Sequence, residues 1–317
     1  MSRKTLIALV VILVLLLAVW IVQKTAHRRS LEAPPQVVLS TGLAAADIGR
    51  VEIAGPGVEP LVLDRSAGRW QVASSFSHPA DGRKIDELTA ELAALRGEFR
   101  SDEAGVLADY LLDEEQAIRL SLFDRSGTET ETLLLGKSLE RGIGLFLRRQ
   151  AETAVYASGS RLLSVLGIWG ESREPQVRGF LDLKVLELQL EQVAGFTLED
   201  GDARMVFQRV EAEEEGAPVG WTLDGSPAEA GAVEGALRAL TGLRGKGVLD
   251  PDLPHGFLET GRRVELRLDD GSHRRLEFGA SDAEGQALRV EGELPVFQVN
   301  ANLAERVFKP AGEFRTE

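Results

Sequence analysis

Ile118–Gly136 reads IRLSLFDRSGTETETLLLG, and Val264–Gly279 reads VELRLDDGSHRRLEFG. In the first stretch Ile118, Leu120 and Leu122 alternate with other residues up to a turn at Gly127, and the return ends on Leu135-Gly136. In the second, Val264, Leu266 and Leu268 alternate up to Asp270-Gly271, and the return ends on Phe278-Gly279. Asp-Gly accepts the positive φ that a tight reversal needs, so it is a strong hairpin signal. Alternation with a period of two turns one face of each hairpin toward a core and the other toward water. Both stretches are therefore antiparallel hairpins, and they have the same plan.

The likeness extends outward from the hairpins. Leu147-Arg148 and Leu288-Arg289 follow them, and Val155-Tyr156 and Val296-Phe297 come eight residues after each leucine. A short terminal helix closes each stretch, with Leu162 and Leu166 matching Leu303 and Val307. Upstream, VEIAG and LVLDR in one half correspond to GFTLED and MVFQR in the other, followed by tryptophan strands at Trp70 and Trp221. These indoles are expected to be buried at equivalent places. A helix comes next in each half. Asp81 caps the first, Ile85, Leu88, Leu92 and Leu95 share one face, and Gly97 is expected to end it. In the second, Ser226 and Glu229 form a capping-box pattern with Pro227 at the first turn; Val233, Leu237, Leu240 and Leu243 form the stripe, and Gly245 ends it. The fold class that follows is α+β: two repeated antiparallel-sheet-plus-helix units behind an N-terminal transmembrane helix.

The anchor is Thr5–Val22, TLIALVVILVLLLAVWIV, 18 residues without a charge. As a helix it spans about 27 Å, close to the roughly 30 Å hydrocarbon core. It is longer than the hydrophobic core of a signal peptide, and no small-x-small cleavage site follows. Arg3, Lys4 and the terminal amine on one side nearly balance Lys24, Arg28 and Arg29 on the other, so the flanking charges leave the orientation open. The division along the chain is a cytoplasmic stub, anchor and basic flank over 1–29, and a linker over 30–47 containing Pro34-Pro35. The first unit follows over 48–166, an inter-unit linker over 167–192, the second unit over 193–308 and a tail over 309–317.

Charge narrows the partners. The chain has 36 basic and 50 acidic residues; 1–29 holds five basic and no acidic ones, so the remainder carries a net −19. Such a surface repels polyanions, and nucleic acid is not an expected partner. There is no cysteine, which excludes disulfides, thiol catalysis and cysteine-held zinc. His27, His78, His255 and His273 are not spaced as metal ligands. Gly136-Lys137-Ser138 looks like the end of a phosphate loop, but Glu131 stands where the first glycine is needed. The acidic run Glu211, Glu213, Glu214 and Glu215 lacks the alternation of oxygen ligands that calcium requires, and is expected to be a solvated loop. No Gly-x-Ser-x-Gly elbow occurs. No catalytic, cofactor-binding or metal-binding residue is therefore assigned, and the chain is not expected to be an enzyme.

With its basic start, single anchor and paired units, the chain resembles the DUF4340 family, proteins of unknown function. The resemblance covers about residues 1–310 and rests on Gly68-Arg69-Trp70, Leu92 to Leu95, Tyr110-Leu111-Leu112-Asp113 and Leu135-Gly136. Family members often carry Tyr-Gly-Leu where this chain has Tyr110-Leu111-Leu112. The resemblance implies a bacterial protein of the inner (cytoplasmic) membrane, with its large domain on the extracytoplasmic side, auxiliary to gliding-motility-type ABC transport systems. The expected function is a non-enzymatic accessory or scaffold protein whose partners are the membrane, through the N-terminal helix, and ABC-type transporter subunits. The alternatives are an envelope module that binds glycan, peptide or lipid, and an envelope hydrolase.

Overall fold

The computed structural model describes residues 35–39, 44–210 and 220–316. The anchor Thr5–Val22, His27 and the acidic run 211–215 lie outside the described residues. Among the described residues, no helix is long and apolar enough to cross a membrane.

The first half of the chain supplies β1 (Gln36–Val38), β2 (Ile48–Ala54), β3 (Leu61–Ser66), β4 (Arg69–Val72), β5 (His78–Pro79), α1 (Gly82–Ala93), β6 (Arg96–Ser101), β7 (Ile118–Asp124), β8 (Glu129–Ser138), β9 (Leu145–Arg149), β10 (Val155–Ser158) and α2 (Leu162–Val165). The second half supplies β11 (Val193–Asp200), β12 (Ala203–Val210), β13 (Gly220–Leu223), β14 (Ser226–Pro227), α3 (Ala230–Leu240), β15 (Gly247–Leu249), α4 (Phe257–Thr260), β16 (Arg262–Leu268), β17 (His273–Ser281), β18 (Gln286–Val290), β19 (Val296–Val299) and α5 (Leu303–Val307). The protein is mostly β, with two antiparallel sheets and few helices. One sheet runs β5-β4-β3-β2-β7-β8-β9-β10-β6-β1, the other β14-β13-β12-β11-β16-β17-β18-β19-β15.

Each sheet forms its own core. In the first, Ile53, Leu61, Leu63, Leu120, Leu133 and Leu147 pack with Ile85, Leu88 and Leu92 of α1. In the second, Phe196, Phe207, Val264, Leu266, Phe278 and Leu288 pack with Val233, Leu237 and Leu240 of α3. Each such side chain taken from water contributes roughly 1.5–3 kcal/mol, which is why the apolar face of each helix selects the sheet face it covers. Smaller clusters lie apart from the two cores. Leu112, Ala117, Leu134 and Val155 form one, and Phe257, Ala287 and Val296 the other. Leu133, Leu134 and Leu135 are consequently all buried, although neighbouring residues of a strand face opposite ways.

Asp81 caps α1 as expected, accepting from the Lys84 amide. Several other local expectations need correction. Ser226 and Pro227 pair with β13 as β14, and α3 starts later. Its N-cap is Glu229, whose carboxylate accepts from the Gly231 and Ala232 amides. The capping-box reading lost to strand pairing because Asp224-Gly225, both at positive φ, turns the chain straight back. Gly97 and Gly245 do not stop the helices, which end at Ala93 and Leu240. Gly97 sits within β6, where a Cβ would come within 2.7 Å of Leu39 and Tyr156. Trp221 is buried, but Trp70 is only half-buried, with the Arg65 guanidinium 6.0 Å from its ring.

The connecting segments are also more structured than their sequences suggested. Within 30–47, β1 pairs with β6. Within 309–317, Phe314 is fully buried against Phe207, and Arg315 bridges to Ala228. The 167–192 stretch bonds to both halves. Leu181 pairs with Ala80 and Lys184 with Arg244, while Phe180 and Leu183 enter the first core and Val185 and Leu186 the second. His78, also at this joint, is buried. It donates from Nε2 to the Asp182 carbonyl at 2.6 Å and meets the Phe297 ring edge-on at 5.5 Å.

Candidate functional site

The site is built where β8 stops being a regular strand. A Cβ on Gly136 would lie 2.3 Å from the Tyr110 carbonyl, so only glycine lets the 104–117 segment cross here. Gly279 meets the same condition against the His255 carbonyl, also at 2.3 Å. The glycine that resembled the end of a phosphate loop is therefore a crossing point between backbones. Lys137 beside it is placed with its ammonium 5.6 Å from the Tyr110 ring. Leu111 closes the crossing with φ 56° and ψ 42°, the left-handed conformation.

Arg173, from the inter-unit segment, seals the crossing. Its guanidinium donates to the carbonyls of Leu135 (2.7 Å), Gly136 (2.9 Å) and Gln116 (3.1 Å). Burial lowers its pKa, and the nearby Asp113 carboxylate opposes that shift. The guanidinium therefore satisfies carbonyls that the sheet leaves free, and Arg173 is a structural cation.

A cleft of about 720 Å³ opens beside this lock. Leu163 and the exposed side chains of Ile143 and Trp169 supply its apolar wall; Ile143 is 67% and Trp169 64% exposed. Lys137 and Arg161 bring positive charge to the rim. A neighbouring groove shares Trp169 and Ser164 and adds Lys84 and Arg178. Arg161 is paired with Glu91 at 3.2 Å and Lys84 with Glu87 at 3.4 Å. Burial pushes the Glu91 carboxyl up, but hydrogen bonds from Ser160 and Arg161 outweigh it and hold the pKa below the ordinary value. Lys137 and Arg178 have no ion-pair partner among the described residues.

The remaining histidines have local partners. His255 shares a hydrogen bond with the Asp250 carbonyl at 2.5 Å, and His273 lies 3.4 Å from Glu265. Among the described residues no group of three or more histidines, cysteines or acidic residues is placed to hold a metal. Trp169 and Arg173 escape sequence reasoning because both fall in the inter-unit linker expected over 167–192. The signal there was a tryptophan and an arginine in an otherwise loop-like GIWGESREP, residues 167–175.

Two antiparallel sheets, each packed on one principal helix and bound to a common connecting segment, define a mostly β, two-sheet protein with a cleft lined by apolar side chains and by charged ones, Lys137, Arg161, Arg173 and Glu171. A family model described as "Domain of unknown function (DUF4340)" matches residues 70–259, more than half of the chain, and the chain belongs to that family. No curated protein and no solved structure matches the chain.

Proposed function

We propose that this is a non-enzymatic, membrane-anchored accessory or scaffold protein, auxiliary to an ABC-type transport complex, with its sheets on the extracytoplasmic side of a bacterial inner membrane. The anchor is the uncharged run Thr5–Val22. The observation that carries the reading is the joint between the sheets. Segment 180–186 hydrogen-bonds to both halves and buries side chains in both cores. A body tied in this way offers a broad, stiff surface, and such a surface suits contact with partners. Anchorage in the partner's own bilayer would raise the effective concentration, so individually weak contacts would suffice.

Within this reading the two halves are repeats of one unit. The order β5-β4-β3-β2-β7-β8-β9-β10-β6 and the order β14-β13-β12-β11-β16-β17-β18-β19-β15 support this, as do the crossing glycines Gly136 and Gly279. In-cell crosslinking with tagged transporter subunits tests the assignment. Reproducible recovery of those subunits from detergent is the expected result. Their absence, together with hydrolysis of an envelope polymer by the purified chain, would overturn it in favour of an envelope hydrolase. A second reading, a ligand-binding module, is favoured by the Trp169 cleft.

A further inference from the structure

We infer that the cleft beside Trp169 binds an amphiphile made of a single alkyl chain with an anionic head, carboxylate or phosphate. This rests on the ligand-binding reading alone.

The size fits. At about 720 Å³ the cleft lies within the roughly 300–1,000 Å³ of small-molecule sites. The lining fits as well. Ile143 and Trp169 are large apolar side chains left about two-thirds exposed side by side with Leu163 in one concavity. An alkyl chain laid on them removes that surface from water at both partners.

The charge selects the head. In a chain whose residues 30–317 carry a net −19, Lys137 on this rim and Arg178 in the adjoining groove lack a carboxylate within ion-pair distance among the described residues. Lys137 is held against Tyr110 rather than against an acid. An anion at Lys137 meets an ammonium without an ion pair, whereas Arg161 is already neutralised by Glu91; Glu171 is the acidic side chain of the lining and does not pair with Lys137. Arg173 is committed to carbonyls and shapes the wall without binding the head.

An extended peptide fits less well. β8 is an interior strand paired with β7 and β9, and Arg173 occupies the Leu135 and Gly136 carbonyls. A main-chain ladder, the usual source of affinity for an added strand, has no free edge here.

The full chain, in nanodiscs of neutral phosphatidylcholine, is exposed to three diazirine-bearing probes: dodecanoate, a lysophosphatidylglycerol and dodecanol. Crosslinked residues are mapped by peptide mass spectrometry. The expected result is labelling around Ile143 and Trp169 by one or both anionic probes and not by the alcohol, with competition by unlabelled dodecanoate. Labelling by the carboxylate alone identifies a fatty acid, and labelling by the phosphate alone a lysolipid. Lys137→Glu is expected to reduce the labelling about five- to tenfold with an unchanged melting temperature, since the residue lies at the rim. Equal labelling by dodecanol, or labelling unaffected by Lys137→Glu, would overturn the proposal. Displacement of the probe by hexaglutamate but not by dodecanoate would also overturn it, pointing to an acidic protein segment. Recovery of transporter subunits is a separate readout, so either idea can fail without the other.

Discussion

At the residue scale, the glycines near the ends of β8 and β17, Gly136 and Gly279, matter for what they leave out. A Cβ at Gly136 or Gly279 would press on a backbone carbonyl at 2.3 Å, and a carbonyl fixed in a crossing segment cannot step aside as a flexible side chain can. Gly136→Ala and Gly279→Ala should each cost about 2–3 kcal/mol, at the upper range for overpacking, read as a lowered denaturation midpoint. Leu111 presents the opposite case, a branched side chain in a left-handed conformation. The indoles differ in a similar way. Trp221 is 4% exposed and packs edge-on to Phe196, so Trp221→Ala should cost about 3–5 kcal/mol. Trp70 is only half-buried, and its replacement should cost distinctly less in the same urea titration. Equal losses would mean that exposure does not govern the two sites.

At the element scale, the helices can be tuned independently of the sheets. Gly235 is an exposed position of α3, with nothing within 4 Å of where an alanine methyl would stand and no positive φ. Gly235→Ala should therefore stabilise by up to about 1 kcal/mol through helix propensity and lower unfolded-state entropy. Asp81→Ala removes the acceptor for the Lys84 amide at the start of α1 and should cost about 1 kcal/mol. Thermal melts of both variants check the two signs together. The hairpins show how much of an element is local. Asp270-Gly271 and Gly127 turn the chain where their sequences say they should, because the conformational preference lies in the turn residues themselves. Helix ends were less legible. Gly97 and Gly245 follow the helices after short connections, and they are small because other parts of the chain pack against them.

At the scale of the whole molecule, the joint between the sheets carries a pH dependence. Burial lowers the pKa of His78 from 6.5, while its bond to the Asp182 carbonyl and the Asp182 charge act the other way. Between its folded pKa and about 6.5, the unfolded chain binds the proton that the folded chain refuses. This contribution is therefore fully present above about pH 6.5 and is lost as the pH falls through that window. His78→Gln should flatten the decline of melting temperature with acid over that range relative to the parent. An unchanged slope would mean that His78 does not carry it. The topology of the full chain is testable at the same scale. Protease added to spheroplasts should remove the sheets, and protection until lysis would place them in the cytoplasm.

The sequence by itself determined the features that depend on neighbours along the chain. These are the alternating strands, the turn residues, the apolar stripes of α1 and α3, the charge balance and the family. Each is a short-range preference or a composition, so it can be read without knowing what lies across the fold. Only the tertiary structure decided which connecting residues were structural. It drew 36–38 into a sheet and Phe314 into a core, and it tied Leu181 and Lys184 to opposite halves. It also brought Lys137, Ile143, Leu163 and Trp169 together around one cleft, across four separate stretches of chain. Such placement depends on burial and long-range pairing, and those are set by which surfaces meet when the chain closes, not by the order of residues within any one segment.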